Sequence, residues 1–258
     1  MSKAGRNRQR ASEKIIQQRA AQARHRRRRL WLAGSGAVAV VAAAAVAIAL
    51  TVGGGSGGGA PSAAGLRLSA LSTLGTLTAA PAGGPLGPEG VPIPGATQLA
   101  STATIATGHA VDGIGCQTSE QTLFHIHVHL TIFVNGQPRQ VPAGVGIPGA
   151  QAEQTAQGPF IGSGNCFYWL HTHAADGIIH IESPVHRVYT LGEFFDEWGQ
   201  PLGPRQVGPA AGAVTALYNG KLYRGNPRDI PLNKHAQVQL EVGRPLVAPQ
   251  SITWPAGL

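Results

Sequence analysis

From residue 124 to 131 apolar and polar positions alternate. Phe124, Ile126, Val128 and Leu130 fall on one parity, and His125, His127, His129 and Thr131 on the other. A period of two puts these sets on opposite faces of a strand. The strand is expected to run to residue 134 and to stop at Asn135-Gly136, a dipeptide suited to the two left-handed positions of a type I′ turn. Residues 137–141 should return beside it. The same signature recurs at 214–218, Asn219-Gly220 and 221–224. Residues 167–173 and 178–182 predict a further hairpin around Asp176-Gly177, residues 187–189 a short strand, and residues 236–242 a closing strand with Ala236, Val238, Leu240 and Val242 on one face. The period changes once. Thr190 and Glu193 form a capping box that opens a helix through Phe194, Phe195 and Trp198, and Gly199 stops it. The expected fold is mainly β, an antiparallel sandwich or barrel-like ectodomain with one short helix, after an N-terminal transmembrane helix.

That transmembrane helix is read from residues 30–52, which carry no charge and consist mostly of Ala, Val, Ile and Leu. The run is long enough to cross a bilayer as a helix. Before it, residues 1–29 hold eleven Lys or Arg against the single acid Glu13, whereas the rest of the chain is slightly acidic. The high pI therefore belongs to the tail. Basic residues favour the cytoplasmic side, so the expected topology is single-pass, N-terminus in and C-terminus out. A retained anchor fits better than a cleaved signal, whose apolar part is only about 7–15 residues long. Cleavage near Ser62-Ala63-Ala64 and a loose twin-arginine match at Arg27-Arg28-Arg29-Leu30-Trp31 are the competing readings. Contact of the basic tail with anionic lipid is expected ahead of nucleic-acid binding.

The organisation that follows is a basic cytoplasmic tail (1–29), a transmembrane helix (30–52), a Gly/Pro/Ala-rich flexible linker (53–104), a β-rich ectodomain (105–247) and a C-terminal tail (248–258). The linker opens on a Gly/Ser run and continues through Pro81, Pro85, Pro88, Pro92 and Pro94, a composition expected to form a stalk that packs little. The two cysteines, Cys116 and Cys166, lie beyond the apolar run. An even count in an oxidising compartment favours a disulfide. The alternative is Cys166 as a thiolate ligand, five residues before His171.

Six of the ten histidines fall in two patterned groups, His125, His127 and His129, then His171, His173 and His180. Imidazole is the commonest protein ligand for transition metals. With a two-residue turn at Asp176-Gly177, His173 would pair with His180 and His171 with Glu182, all on one face. Opposed Cβ atoms lie about 4.5–5.5 Å apart, a spacing at which imidazoles converge on one ion. His125 and His129 are too far apart along their strand to share one ion with His127. The simplest set is therefore His127, His129, His171 and His173, with His180 as a further ligand or a group that supports one. Glu182 and His125 are each expected either as a further ligand or behind the ligands, Glu182 orienting an imidazole and His125 belonging to a second position at the edge. The Gly-rich segment 142–149, flanked by prolines, is expected as a turn-rich loop at the rim.

With Met1 the only methionine, a thioether-rich copper site and an axial-Met blue-copper site are excluded. All-imidazole ligation suits a divalent transition metal, Zn or Cu foremost, and with Glu182 also Fe or Mn. No GxSxG, no phosphate-binding Gly-rich loop before a helix and no paired carboxylates appear.

The histidine-alternating strand ending in Asn-Gly, the Leu170-His171-Thr172-His173 segment leading to Ile179-His180-Ile181-Glu182, and the Leu191-Gly192-Glu193-Phe194-Phe195 helix together resemble a group of uncharacterised, membrane-anchored, histidine-rich extracytoplasmic proteins of bacteria and archaea. The resemblance covers residues 111–249; it implies the site and adds no reaction. His171-Thr172-His173 is also similar to the cupin HxH motif. The Glu that motif needs three or four residues later is absent, those positions being Asp176 and Gly177. Three functions follow. The first is a membrane-anchored extracytoplasmic metal-binding protein for buffering, sensing or delivery. The second is a metalloenzyme with a three-His open site. The third is a non-metal interaction module that responds to pH.

Overall fold

The computed structural model describes residues 66–102 and 107–258. The expected tail and transmembrane helix at 1–52 lie outside the described residues. Among the described residues no helix is long and apolar enough to cross a membrane.

The spine is β3, Phe124–Val134, and its two halves use different neighbours. The first half pairs antiparallel with β9, Ile178–Ser183, matching His127 to His180 and His125 to Glu182. The second half pairs parallel with β15, Gln237–Val242, and antiparallel with β4, Gln137–Arg139. Beyond β15 come β13, Val214–Tyr218, then β14, Lys221–Tyr223, and at the far edge the two-residue β1, Leu68–Ser69. On the other side β9 pairs with β8, Leu170–His171. The sheet has eight strands and is open, and β10, Leu202–Gly203, β11, Gln206–Val207, and β12, Ala210–Ala211, form a small sheet of their own. The eight-stranded sheet is mixed rather than purely antiparallel, because β3 and β15 run parallel.

Both Asn-Gly hairpins form as the pattern predicts. Val134 pairs with Gln137 around Asn135 and Gly136, at φ 50° and 76°. Tyr218 pairs with Lys221 around Asn219 and Gly220, at φ 49° and 72°. The helix, α1, is Leu191–Trp198. The Thr190 amide donates to the Glu193 carboxylate at 2.7 Å, and the Glu193 amide to the Thr190 hydroxyl at 3.4 Å, completing the capping box. Gly199 ends it in the left-handed region at φ 68°. Leu191, Phe194, Phe195 and Trp198 are fully buried and join the same core as Ile126, Val128, Leu130, Ile179 and Ile181. Burying each large apolar side chain stabilises the fold by about 1.5–3 kcal/mol. The alternation in β3 thus commits one sheet face to the core and leaves the histidines on the other.

That second face is covered as well. Residues 66–102, expected as part of a stalk that packs little, belong to the same compact unit as the sheet. Val91 is fully buried, while Leu99 joins the core of the first face. Thr78 bridges Val247 and Gln98 bridges Gln140. A tight bend at residues 86–92, closed by the Gly87 amide donating to the Val91 carbonyl at 2.8 Å, turns Glu89 toward the histidines. The prolines that argue against strand here leave the chain free to run as an irregular cover.

Two other expectations change, and one hairpin appears that the pattern does not predict. The second hairpin lacks the two-residue turn: β8 ends at His171, which pairs with His180 rather than Glu182. The backbone amide of Glu182 instead donates to the carbonyl of Trp169 at 2.8 Å. After His171 the chain leaves β9 and bonds to the Gly-rich loop, with Thr172 N donating to Val145 O and the Thr172 hydroxyl to Pro142 O. Gly146 permits this approach, since a Cβ there would lie 2.3 Å from the Leu170 carbonyl. The slip is by two residues, so every side chain keeps its face. Residues 187–189 form no strand. A hairpin of β5, Gln151–Thr155, and β6, Gly158–Ser163, is present where no alternation announces one. The favoured disulfide is present: β2, Cys116–Gln117, pairs with β7, Phe167–Tyr168, and beside that pair Cys116 and Cys166 are bonded. Cys166 is therefore not a thiolate ligand.

Candidate metal centre

Three adjacent strands bring the cluster together. In the order β8, β9, β3, the residues His171, His180 and His127 stand in one row, and Glu182 and His125 form the next. His173 follows β8 and turns back to the same place, its Nδ1–H donating to the carbonyl of Ile161 in β6 while Phe160 stacks on its ring at 4.8 Å. The unannounced β5–β6 hairpin is thus what positions His173.

Hydrogen bonding assigns the tautomers. A carbonyl only accepts, so the Nδ1–H of His171, 2.8 Å from Tyr168 O, carries its proton, and His173 is held the same way by Ile161. The two Nε2 lone pairs are then left facing each other at 3.2 Å. Two imidazoles bound to one tetrahedral ion with M–N bonds of 2.0–2.1 Å would hold their nitrogens about 3.3 Å apart. Second-sphere bonding of Nδ1 to a backbone carbonyl is also the usual support for an Nε2 ligand. Ligand atoms of His171, His173, His180 and Glu182 all lie within 4.8 Å of one another, and all four residues are buried. A second set meeting the same spacing is His125, His127 and His180.

Charge completes the picture. Burial, reinforced by neighbouring imidazoles, holds His171 and His173 below the usual histidine range and brings His127 down to about 3. At neutral pH each ring is uncharged, with one N–H and one nitrogen lone pair free to bind. Burial pushes His180 the same way, but Glu182 and Glu89 outweigh it and raise it to about 9. Glu89 Oε1 lies 2.6 Å from His180 Nε2, and Glu182 Oε1 lies 3.4 Å from Nδ1 and 3.0 Å from His125 Nε2. Burial alone would raise Glu182, yet the His125 and His180 contacts hold it well below the carboxylate range. The second oxygens of both Glu89 and Glu182 are buried without a hydrogen-bond partner. An acceptor left bare costs free energy; a cation beside it removes that cost.

Of the predicted ligands, the structure gathers His127, His171, His173 and His180 with His125 and Glu182. His129 stands apart. Its Nε2–H donates to the Asp176 carbonyl at 3.0 Å, and its Nδ1 faces the Thr131 hydroxyl at 3.5 Å, so it fastens the loop before β9. Of the two roles open to Glu182, the structure places it among the candidate ligands. Two acids were missed: Glu89, in the proline-rich segment, and Glu120, whose carboxylate lies 3.5 Å from His173 Nε2. No local pattern marks either, since both arrive from segments distant in sequence. A cavity of about 780 Å³ opens beside His129, Thr131, Arg139 and Asp176, against residues 80–84 and 249–252. The four residues of the buried group are not among its lining.

Comparison with models of known protein families, with curated proteins and with solved structures finds no match.

Proposed function

We propose that this chain is a membrane-anchored extracytoplasmic protein that binds a divalent transition metal, Zn or Cu, through its buried histidine cluster, and that it buffers, senses or delivers that metal. The observation that carries the reading is the His171–His173 pair. Two Nε2 lone pairs face each other at 3.2 Å, and backbone carbonyls occupy the Nδ1 side of both rings. Neither nitrogen brings a proton to share, and a cation between them turns repulsion into bonding. Nitrogen and carboxylate donors without sulfur suit Zn(II) or Cu(II).

The extracytoplasmic placement is supported by the Cys116–Cys166 disulfide, which persists in oxidising compartments. The anchor is argued from the uncharged run at 30–52 and the basic residues before it. Four buried donors form a closed set, which favours holding an ion over activating water on it. The cavity beside His129 lies off this group, which also weighs against the enzymatic reading.

The test is metal affinity of the full chain, purified in mild detergent without a polyhistidine tag. Tight Zn(II) or Cu(II) binding, weakened at least a hundredfold by His171→Ala with His173→Ala, is expected. Unchanged affinity in that variant would overturn the reading.

A further inference from the structure

The cluster holds more donors than one ion can use, and they divide into two pairs. His171 and His173 come from β8 and the turn after it. His125 and His127 come from β3 on the opposite side of β9. Within the second pair the Nε2 atoms are 3.0 Å apart, nearly the separation in the first. An ion bonded at 2.0–2.1 Å holds adjacent nitrogens about 2.9–3.4 Å apart, from right-angled to tetrahedral geometry. Each pair is therefore one edge of a coordination shell. The two edges cannot belong to one shell, because β9 and its side chains lie between them.

What lies between is suited to joining two ions. Glu182 touches the outer pair through Oε1, 3.0 Å from His125, and belongs to the inner group with His171 and His173. Its Oε2 is buried without a hydrogen-bond partner. A carboxylate has two oxygens and can span ions about 3.5–4 Å apart, the spacing of two-metal centres. His180 has a ring nitrogen within 4.8 Å of the other donors in both groups, and binding an ion there displaces its extra proton.

We propose that the cluster is a two-ion centre, with an inner ion at His171, His173 and His180, an outer ion at His125 and His127, and Glu182 bridging them. This inference rests on the metal-binding reading above and deepens it. The two positions differ in access. Every residue of the inner group is buried, whereas the side chain of His125 is 37% exposed. The outer ion exchanges with solvent first; the inner one is retained. Such a centre keeps one ion as part of the fold and passes the other on.

The test uses the full chain, stripped with a chelator, reloaded with Cu(II), and measured for copper content and by electron paramagnetic resonance. Two ions per chain with a half-field signal from a coupled pair are expected. His125→Ala with His127→Ala should leave one ion and the spectrum of an isolated Cu(II). His125→Ala alone, at a partly exposed position with little call on the core, should release the outer ion faster into chelator. One ion in the native chain that survives loss of His125 and His127 would overturn the two-ion inference while leaving metal binding intact. Two ions without coupling would overturn the bridge. Failure of the stripped native chain to take up either Cu(II) or, in a parallel reload, Zn(II) would overturn both readings.

Discussion

Acid should unfold the metal-free protein in a manner that can be worked out from two buried histidines. His127 and His129 sit near 3 and 4 in the folded state against 6.5 in an unfolded chain, burial being the main cause for both. Below pH 6.5 the unfolded chain takes up these protons and the folded one does not, so stability falls as pH falls until the folded values are reached. At pH 5 the loss is about 2 kcal/mol for each residue, from about 1.4 kcal/mol per pH unit. His171 and His173 shift in the same direction and add to it. His180, raised to about 9, is protonated in both states below pH 6.5 and adds no slope there; its contribution is instead lost as pH rises from 6.5 through 9. The perturbation is His129→Gln, which removes one titrating group outside both candidate ligand sets and keeps a donor for the Asp176 carbonyl. Urea unfolding of chelator-treated protein between pH 7 and pH 5 should show the variant losing about 2 kcal/mol less than the native chain over that range. Equal losses would refute the claim that His129 is held neutral by burial.

Glu89→Gln should weaken metal binding roughly 10–100-fold, the usual cost of losing an outer-shell partner, since Glu89 lies 2.6 Å from His180; competition with a chromophoric chelator measures it, and unchanged affinity would make Glu89 a bystander. Thr190→Ala removes half of the capping box on α1 and should cost about 1 kcal/mol in chemical unfolding with metal content unaltered. Replacing Cys116 and Cys166 by Ser opens a loop with a sequence separation of 50. In the chain-entropy model this lowers stability by about 4 kcal/mol, seen as a lower midpoint in urea, while the ligand set remains.

Much of this architecture is legible because its signals are local. The alternation in β3 separates histidines from core, each Asn-Gly supplies a left-handed pair, and the capping box marks where α1 begins. The hairpin register was not legible. A tight turn at Asp176-Gly177 is locally reasonable, but Thr172 finds partners in the loop at 142–145, and those non-local hydrogen bonds draw the chain off β9. The face assignment outlasted the error because a slip of two preserves parity. His129 shows the limit of parity. It shares a face with His127, yet the Asp176 carbonyl claims its Nε2–H. Glu89 shows the converse. Nothing in a proline-rich stretch signals a buried carboxylate, and only the fold of residues 80–95 beside the histidine face carries it to His180. The cover also explains why a face rich in histidine is buried rather than solvated.

The most direct test of the central claim is the metal content of the full chain, purified without chelator and without a polyhistidine tag, beside His171→Ala with His173→Ala, both shown by circular dichroism to be folded. Bound Zn or Cu in the native chain, and loss of the buried ion in the variant, is the predicted result. A native chain with no bound transition metal, or a folded variant that retains its full complement, would contradict the account.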